Sequence, residues 1–308
     1  MKRYIAILIV ASVSFMAYAQ GTAMDFIRSD RNPATAGTAG AGYASLSAGT
    51  AFSAFGNPAL VPLAESALEA AGVFGLSPSG NGKAASYGGS AAVKLGSFGI
   101  SAAYSGGNYP EIALSSEGGG ASGHFSPKDM MLGLGLSYAI GDFLSLGAAG
   151  RYATLSLDNK TTLSSFSADV SAIYRKEALS VSAGVIALGP KVASIGNKSY
   201  SLPTSARLAA AYRLGLGDFS LDFLADADYY FSANVSAAAG IQAAYKDIAF
   251  LRTGYRYSSV KADFSAAPVP SCYAAGAGVK FFGVKLDFAA TFSGALGSAL
   301  MMSLGYSF

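Results

Sequence analysis

From residue 66 to the last residue, apolar side chains return at every second position in a series of short segments. That spacing sends alternate side chains to opposite faces of a strand. The final segment shows it most plainly: Leu300, Met302, Leu304, Tyr306 and Phe308 share one face, and Met301, Ser303, Gly305 and Ser307 share the other. One such face suits lipid and the opposite one suits a lumen. Read towards the N-terminus, the same rule predicts outward sets at Val284, Leu286, Phe288 and Phe292; at Tyr273, Val279 and Phe281; at Leu251, Tyr255 and Tyr257; and at Val235, Ile241 and Tyr245. It continues through Leu221, Phe223 and Tyr229; Leu208, Tyr212 and Leu214; Leu179, Val181 and Val185; Phe166, Val170 and Tyr174; and Leu144, Leu146 and Tyr152. Leu132, Leu134, Leu136 and Tyr138, then Ile100 and Tyr104, Val93 and Leu95, and Phe74 with Leu76 complete fourteen strands, an even number within the range of such barrels.

The connections alternate in the same way. Tight turns are expected at Gly96-Ser97, Gly141-Asp142, 175–178, 215–218, Lys246-Asp247 and Phe282-Gly283, with wider loops near residues 77–84, 107–128, 157–163, 189–204, 230–234, 258–270 and 293–298. Short periplasmic turns and longer outer loops are the asymmetry of outer-membrane barrels. Fourteen strands with both ends in the periplasm need six turns and seven loops, and both numbers are met. Tyr104, Tyr138, Tyr174, Tyr229, Tyr245 and Tyr257 lie near strand ends, where an amphipathic ring suits the lipid–water boundary.

Composition narrows the solvent. The chain is 52% hydrophobic and 13% charged, yet beyond its N-terminus no run of about 18 apolar residues is free of polar interruption. A closed barrel is then the structure that satisfies every backbone group in lipid. At the N-terminus, Lys2 and Arg3 precede an apolar run and the small-residue pattern Ala17-Tyr18-Ala19, which reads as a secretory signal peptide over 1–19, cleaved before Gln20. Between it and the first strand, residues 20–64 lack alternation and carry Gly37, Gly40, Gly42 and the turn Asn57-Pro58-Ala59. Flexible glycine backbone and a proline turn suit a hatch folded back inside a barrel of residues 65–308. The fold class expected is all-β: a transmembrane antiparallel barrel of about 14 strands with an N-terminal plug.

Chemistry is sparse. One cysteine, Cys272, permits no internal disulfide, and one histidine, His124, cannot alone build a metal site or orient a nucleophile. The net charge of +3 includes the basic leader, so no nucleic-acid partner is indicated. No cofactor and no catalysis are expected, and the partner common to every such barrel is outer-membrane lipid. Inward-facing positions carry Arg151, Asp169, Arg207, Arg213, Asp222, Asp226, Asp228, Arg252, Arg256, Lys280, Lys285 and Asp287. A regular hairpin about 215–218 sets Arg207 across from Asp226 as a cross-strand pair.

The Asn57-Pro58-Ala59 turn after a glycine-rich stretch resembles the hatch of the FadL superfamily of fourteen-stranded barrels. More specifically, Met24-Asp25-Phe26-Ile27-Arg28 with 36–42, Leu188-Gly189-Pro190-Lys191 with 202–208, and 239–245 with Leu251-Arg252-Thr253-Gly254-Tyr255 resemble PorV/PorQ proteins. The terminal strand with Leu304, Tyr306 and Phe308 resembles the signal by which such barrels are recognised for insertion. The resemblance implies an outer-membrane protein with both termini periplasmic, acting as a non-enzymatic adaptor, shuttle or anchor in type IX secretion. It implies as partners a large translocon barrel and secreted proteins with C-terminal signal domains. Tyr109, Pro110, Ile112, Tyr200, Leu202, Pro203, Phe264, Pro268 and Val269 would supply apolar contacts from outer loops.

A different reading is a FadL-like transporter of hydrophobic molecules, with lipid or detergent in the lumen. It needs an apolar pocket near the mouth and a lateral opening in the wall, and the pair Gly88-Gly89 is the expected kink. A passive porin is a third reading, weakened by a hatch.

Overall fold

The computed structural model describes residues 22–79, 82–115, 121–157, 161–193, 199–259, 270–294 and 297–308. The expected leader over 1–19 lies outside them. The strands are β1 (Leu68–Ser79), β2 (Gly82–Leu95), β3 (Phe98–Asn108), β4 (Ile112–Ser115), β5 (Ala121–Phe125), β6 (Lys128–Ile140), β7 (Leu144–Ser156), β8 (Thr162–Lys176) and β9 (Leu179–Leu188). They continue as β10 (Val192–Ala193), β11 (Ser199–Tyr200), β12 (Ser205–Leu216), β13 (Phe219–Tyr230), β14 (Asn234–Tyr245), β15 (Ala249–Ser258), β16 (Cys272–Phe281), β17 (Val284–Phe292) and β18 (Ser298–Ser307). Fourteen of these form one closed antiparallel barrel, while β4 with β5 and β10 with β11 make small hairpins in the outer loops.

The alternation decides which way the wall faces. Leu134, Phe166 and Leu251 stand on the outside at 69%, 68% and 69% exposure, while the intervening Gly, Ala, Ser and charged residues turn inward. An apolar band of that extent on a closed barrel meets lipid, and the protein belongs in the outer membrane. Ring pairs mark both rims: Phe98 with Tyr138 and Phe219 with Tyr245 near the short turns, Tyr152 with Phe166 and Tyr255 with Tyr273 towards the loops.

The seam closes where the chain ends. Glu69 to Leu76 of β1 pair with Ser307 to Leu300 of β18, and Leu68 and Phe308 exchange backbone hydrogen bonds of 3.0 and 2.8 Å. The C-terminus is therefore at the turn end, the periplasmic side.

Three details depart from the pattern-based expectation. The first outer connection is narrower than 77–84, because β1 runs to Ser79 and β2 starts at Gly82. Gly88-Gly89 makes no kink: Gly88 pairs with Val73 and Ser105, and Gly89 with Gly72 and Tyr104, in an unbroken ladder. The bare Cα there answers a close approach, since a Cβ on Gly88 would lie 2.5 Å from the Tyr104 carbonyl oxygen. The wall breaks elsewhere. The β8–β9 register shifts between Ala168 and Val170, Ala187 adopts a positive φ of 56°, and β9 ends at Leu188. Above Ala168, β8 pairs only with β7.

Candidate functional site

Residues 22–64 are packed against inward-facing side chains of the wall, and two Asn-Pro-Ala turns organise them. Asn32 Oδ1 accepts from Ala34 N at 2.9 Å and Asn57 Oδ1 accepts from Ala59 N at 3.1 Å, in each case just ahead of a proline that opens a short helical turn. The amide of each asparagine reaches back along the segment: Asn32 Nδ2 donates to the Ala48 carbonyl at 3.2 Å, and Asn57 Nδ2 to the Tyr43 carbonyl and Ser182 Oγ at 2.8 Å each. The triplet at 32–34 was overlooked in the sequence; its identity with 57–59 was the available signal.

Arg207 and Asp226 hold the glycine stretch. Gly42 N and Tyr43 N donate to the two oxygens of Asp226 at 3.0 and 3.1 Å, and Arg207 Nη2 donates to the Gly40 carbonyl at 2.8 Å and to Asp226 at 2.6 Å. The register differs from expectation by two residues. Arg207 faces Asp228 and Ala209 faces Asp226, because the hairpin turns about Gly217-Asp218, so the Arg207–Asp226 contact is diagonal. Gly37 lies against Gly276 and the Arg252 side chain. Thr38 fills the space over Gly240 and Gly254, where an added Cβ would stand 2.6 and 2.5 Å from it. Pro58 and Ala59 are buried beside Gly147.

The upper lumen is ionic and balanced. Arg28, Arg31, Arg151, Arg207 and Arg256 meet Asp30, Asp129, Asp169, Asp226 and Asp228, five against five. Arg151 and Asp169 form a wholly buried pair. Asp169 also accepts from Ala187 N at 2.8 Å, at the wall break, and Arg151 donates to the Ile27 carbonyl at 3.3 Å. Nearer the periplasm, Asp222, Gln242, Arg252 and Asp287 form a chain of hydrogen bonds of 2.6 to 2.7 Å. A cavity of about 80 Å³ lies in this ionic region, lined among others by Ile27, Phe55, Arg151 and Arg207. A cavity that admits benzene is about 150 Å³, so the space is too small for even a monoaromatic ring without movement.

Above it the character changes. Met24, Ile27, Met131, Ala153, Ile186, Val192 and Leu202 form a buried apolar cluster joined by Phe26, Leu155 and Leu163. Leu202 closes on the wall break, where a Cβ on Gly189 would lie 2.7 Å from its Cδ1.

The outer-loop residues divide. Leu202 and Pro203 are buried and cannot be contact groups for an external partner. Tyr109 is turned inward, its hydroxyl donating to Asp129 at 2.8 Å; burial and then the Asp129 charge hold its ionisation above the ordinary phenol range. Pro110 and Tyr200 are half-buried and Ile112 is exposed. Phe264, Pro268 and Val269 lie outside the described residues. The periplasmic placement of the N-terminus is corrected as well: Thr22 bridges Ser201, and Ala23 N donates to the Ser201 carbonyl at 3.0 Å, in the outer connection between β9 and β12. The segment therefore starts at the outer mouth and descends. His124 is exposed on the outer hairpin, 4.0 Å from Glu111, and Cys272 is buried in the wall beside Ala39 and Ala274. No group of three or more His, Cys, Asp or Glu suited to a metal occurs among the described residues.

The toluene transporter TodX of Pseudomonas putida superposes with a TM-score of 0.63 at 13% identity, over 90% of this chain and 97% of TodX. A FadL homologue of Pseudomonas aeruginosa gives 0.58 at 12%, over 90% and 98%. Another structure of P. putida TodX gives 0.58 at 13%, over 82% and 92%. This is the FadL/TodX barrel fold. No family model and no curated protein matches the sequence. The likeness overturns the expectation of a type IX secretion adaptor with a translocon barrel and secreted signal domains as partners: the barrels it matches are TodX and a FadL homologue. The short motifs that suggested PorV and PorQ are largely accounted for by lumen packing. Residues 36–42 are held by Asp226 and Arg207, and Leu202-Pro203 is buried.

Proposed function

We propose that this protein passes hydrophobic small molecules across the outer membrane, with residues 22–64 as a hatch inside the barrel. The observation that carries the reading is the apolar cluster of Met24, Ile27, Met131, Ile186 and Leu202, which lies immediately inside the wall break at β8–β9. A hydrophobic solute entering between the outer loops meets this cluster first. Below it stand paired charges, and stripping them of their partners for an apolar solute costs several kcal/mol per ion. Sideways, the upper part of β8 lacks a second strand partner in the barrel, and the described residues that cover the gap include Gly189, against Phe166 and Ser167, and Leu202. The lower-cost route runs laterally into the membrane. Toluene transport by TodX, which shares this fold, agrees with that solute class.

The test is uptake of radiolabelled toluene and of a long-chain fatty acid by a Gram-negative host lacking its own hydrophobic-solute channels. Expression should raise uptake of at least one of them and leave a hydrophilic sugar unchanged. Leu202→Asp, which buries a carboxylate in the cluster, should abolish the gain while the barrel still shows heat-modifiable migration. No gain with a correctly assembled protein would overturn the proposal.

A further inference from the structure

Between the 80 Å³ cavity in the ionic lumen and the periplasm lies a second, wider cavity of about 430 Å³, lined by Glu65, Glu69, Arg175, Arg213, Lys280 and Lys285 among others. Ser45 and Gly49 line both cavities. The stretch 45–50 is thus the partition between them, one turn of backbone closed by Gly49 N donating to the Leu46 carbonyl at 3.0 Å. One side is anchored by packing: Leu46 rests on the cluster of Ala59, Leu60, Leu63, Ala139 and Ile173. The other side is held by charged groups acting on backbone. Glu69 of β1 accepts from Thr50 N at 2.6 Å and Ala51 N at 3.3 Å, and Lys285 of β17 donates at 3.3 Å to the Ala48 carbonyl, which it shares with Asn32 Nδ2 of the segment itself.

We infer that residues 45–50 form an inner gate of the barrel, hinged at Leu46 and latched at Ala48 and Thr50 by Lys285 and Glu69. A turn held on one side by apolar packing and on the other by a few polar contacts opens at the polar side, because water in the wide cavity can replace those partners. Release of the latch joins the two cavities and exposes the ionic lumen to the periplasm. The inference rests on the reading of the barrel as a passage, but it predicts ion leak and not hydrophobic uptake, so the two can fail separately.

The experiment uses the full-length protein in planar lipid bilayers. The wild type should open rarely, and Glu69→Ala and Lys285→Met should each raise the frequency of conducting events by at least about tenfold, the factor associated with losing one hydrogen bond to a charged group. The double variant should fall short of the product of the two, since both groups hold one turn. Folded variants that conduct no more than the wild type overturn the gate. Should either variant fail to assemble, Ser47→Cys in a Cys272→Ser background decides: Ser47 lines only the wide cavity, so a membrane-impermeant thiol reagent should reach it from the periplasmic face alone. Labelling from the outer face overturns the partition. Loss of hydrophobic uptake with gating intact would count against the transport reading only.

Discussion

At the scale of single residues, the lumen is decided by which charge finds which partner. Asp169 is fully buried, and its countercharge is Arg151. Arg151→Met leaves that carboxylate stranded, and folding stability should fall by about 3–5 kcal/mol. Arg151→Met combined with Asp169→Leu should recover only part of the loss, because the stranded charge is gone but the Ala187 N–H loses its acceptor. Urea unfolding of the barrel in lipid vesicles measures both. The sequence showed that these residues point inward, since parity along a strand settles the face. It did not show their pairing. Arg28 meets Asp228 across 200 residues and Arg31 meets Asp129, and such partners depend on the barrel's shear and on the path of a segment with no period of its own. A turn centred one residue further along than expected shifts the register by two, enough to misplace Arg207 opposite Asp226.

At the scale of elements, the wall was legible because each strand has lipid on one face and lumen on the other, so a two-residue period is imposed along its whole length. The segment 22–64 answers to no single plane, and its order comes from contacts with strands remote in sequence. Gly254 is one such contact. Gly254→Ala places a methyl 2.5 Å from the carbonyl carbon and oxygen of Thr38, well inside van der Waals contact. It should leave the barrel assembled while making residues 22–64 several times more sensitive to added protease, by loosening their packing. Fragments read by mass spectrometry give the cleavage sites, and cleavage in the wall instead would contradict the prediction. The wall break escaped notice for a different reason. Glycine pairs advertise bends, but β9 bends at Ala187, where the Asp169 carboxylate supports the backbone N–H. At the seam, deletion of Phe308 removes the backbone bonds to Leu68 and an exposed ring. The yield of heat-modifiable protein in outer-membrane fractions should drop, with the total amount synthesised unchanged.

At the scale of the whole molecule, the two ends of the described chain sit on opposite sides of the membrane. Thr22 is in the outer mouth, and Phe308 is at the periplasmic rim. An epitope inserted between Gly21 and Thr22 should be stained on intact cells, whereas one appended after Phe308 should be stained only after permeabilisation. Equal staining of both would contradict this arrangement. Fold class and the number of barrel strands could be read from the sequence, since both follow from a local period and the lengths of connections. The position of the N-terminus could not, because it is set by one bridge to Ser201.

The descent of residues 22–64 from the outer mouth to the start of β1 also bears on how the molecule can be made. Among the described residues the segment's covalent tie to the wall is at β1, so its docking is an intramolecular event whether the staves are still open or already closed. Once nicked and lost, it could return only as a separate molecule.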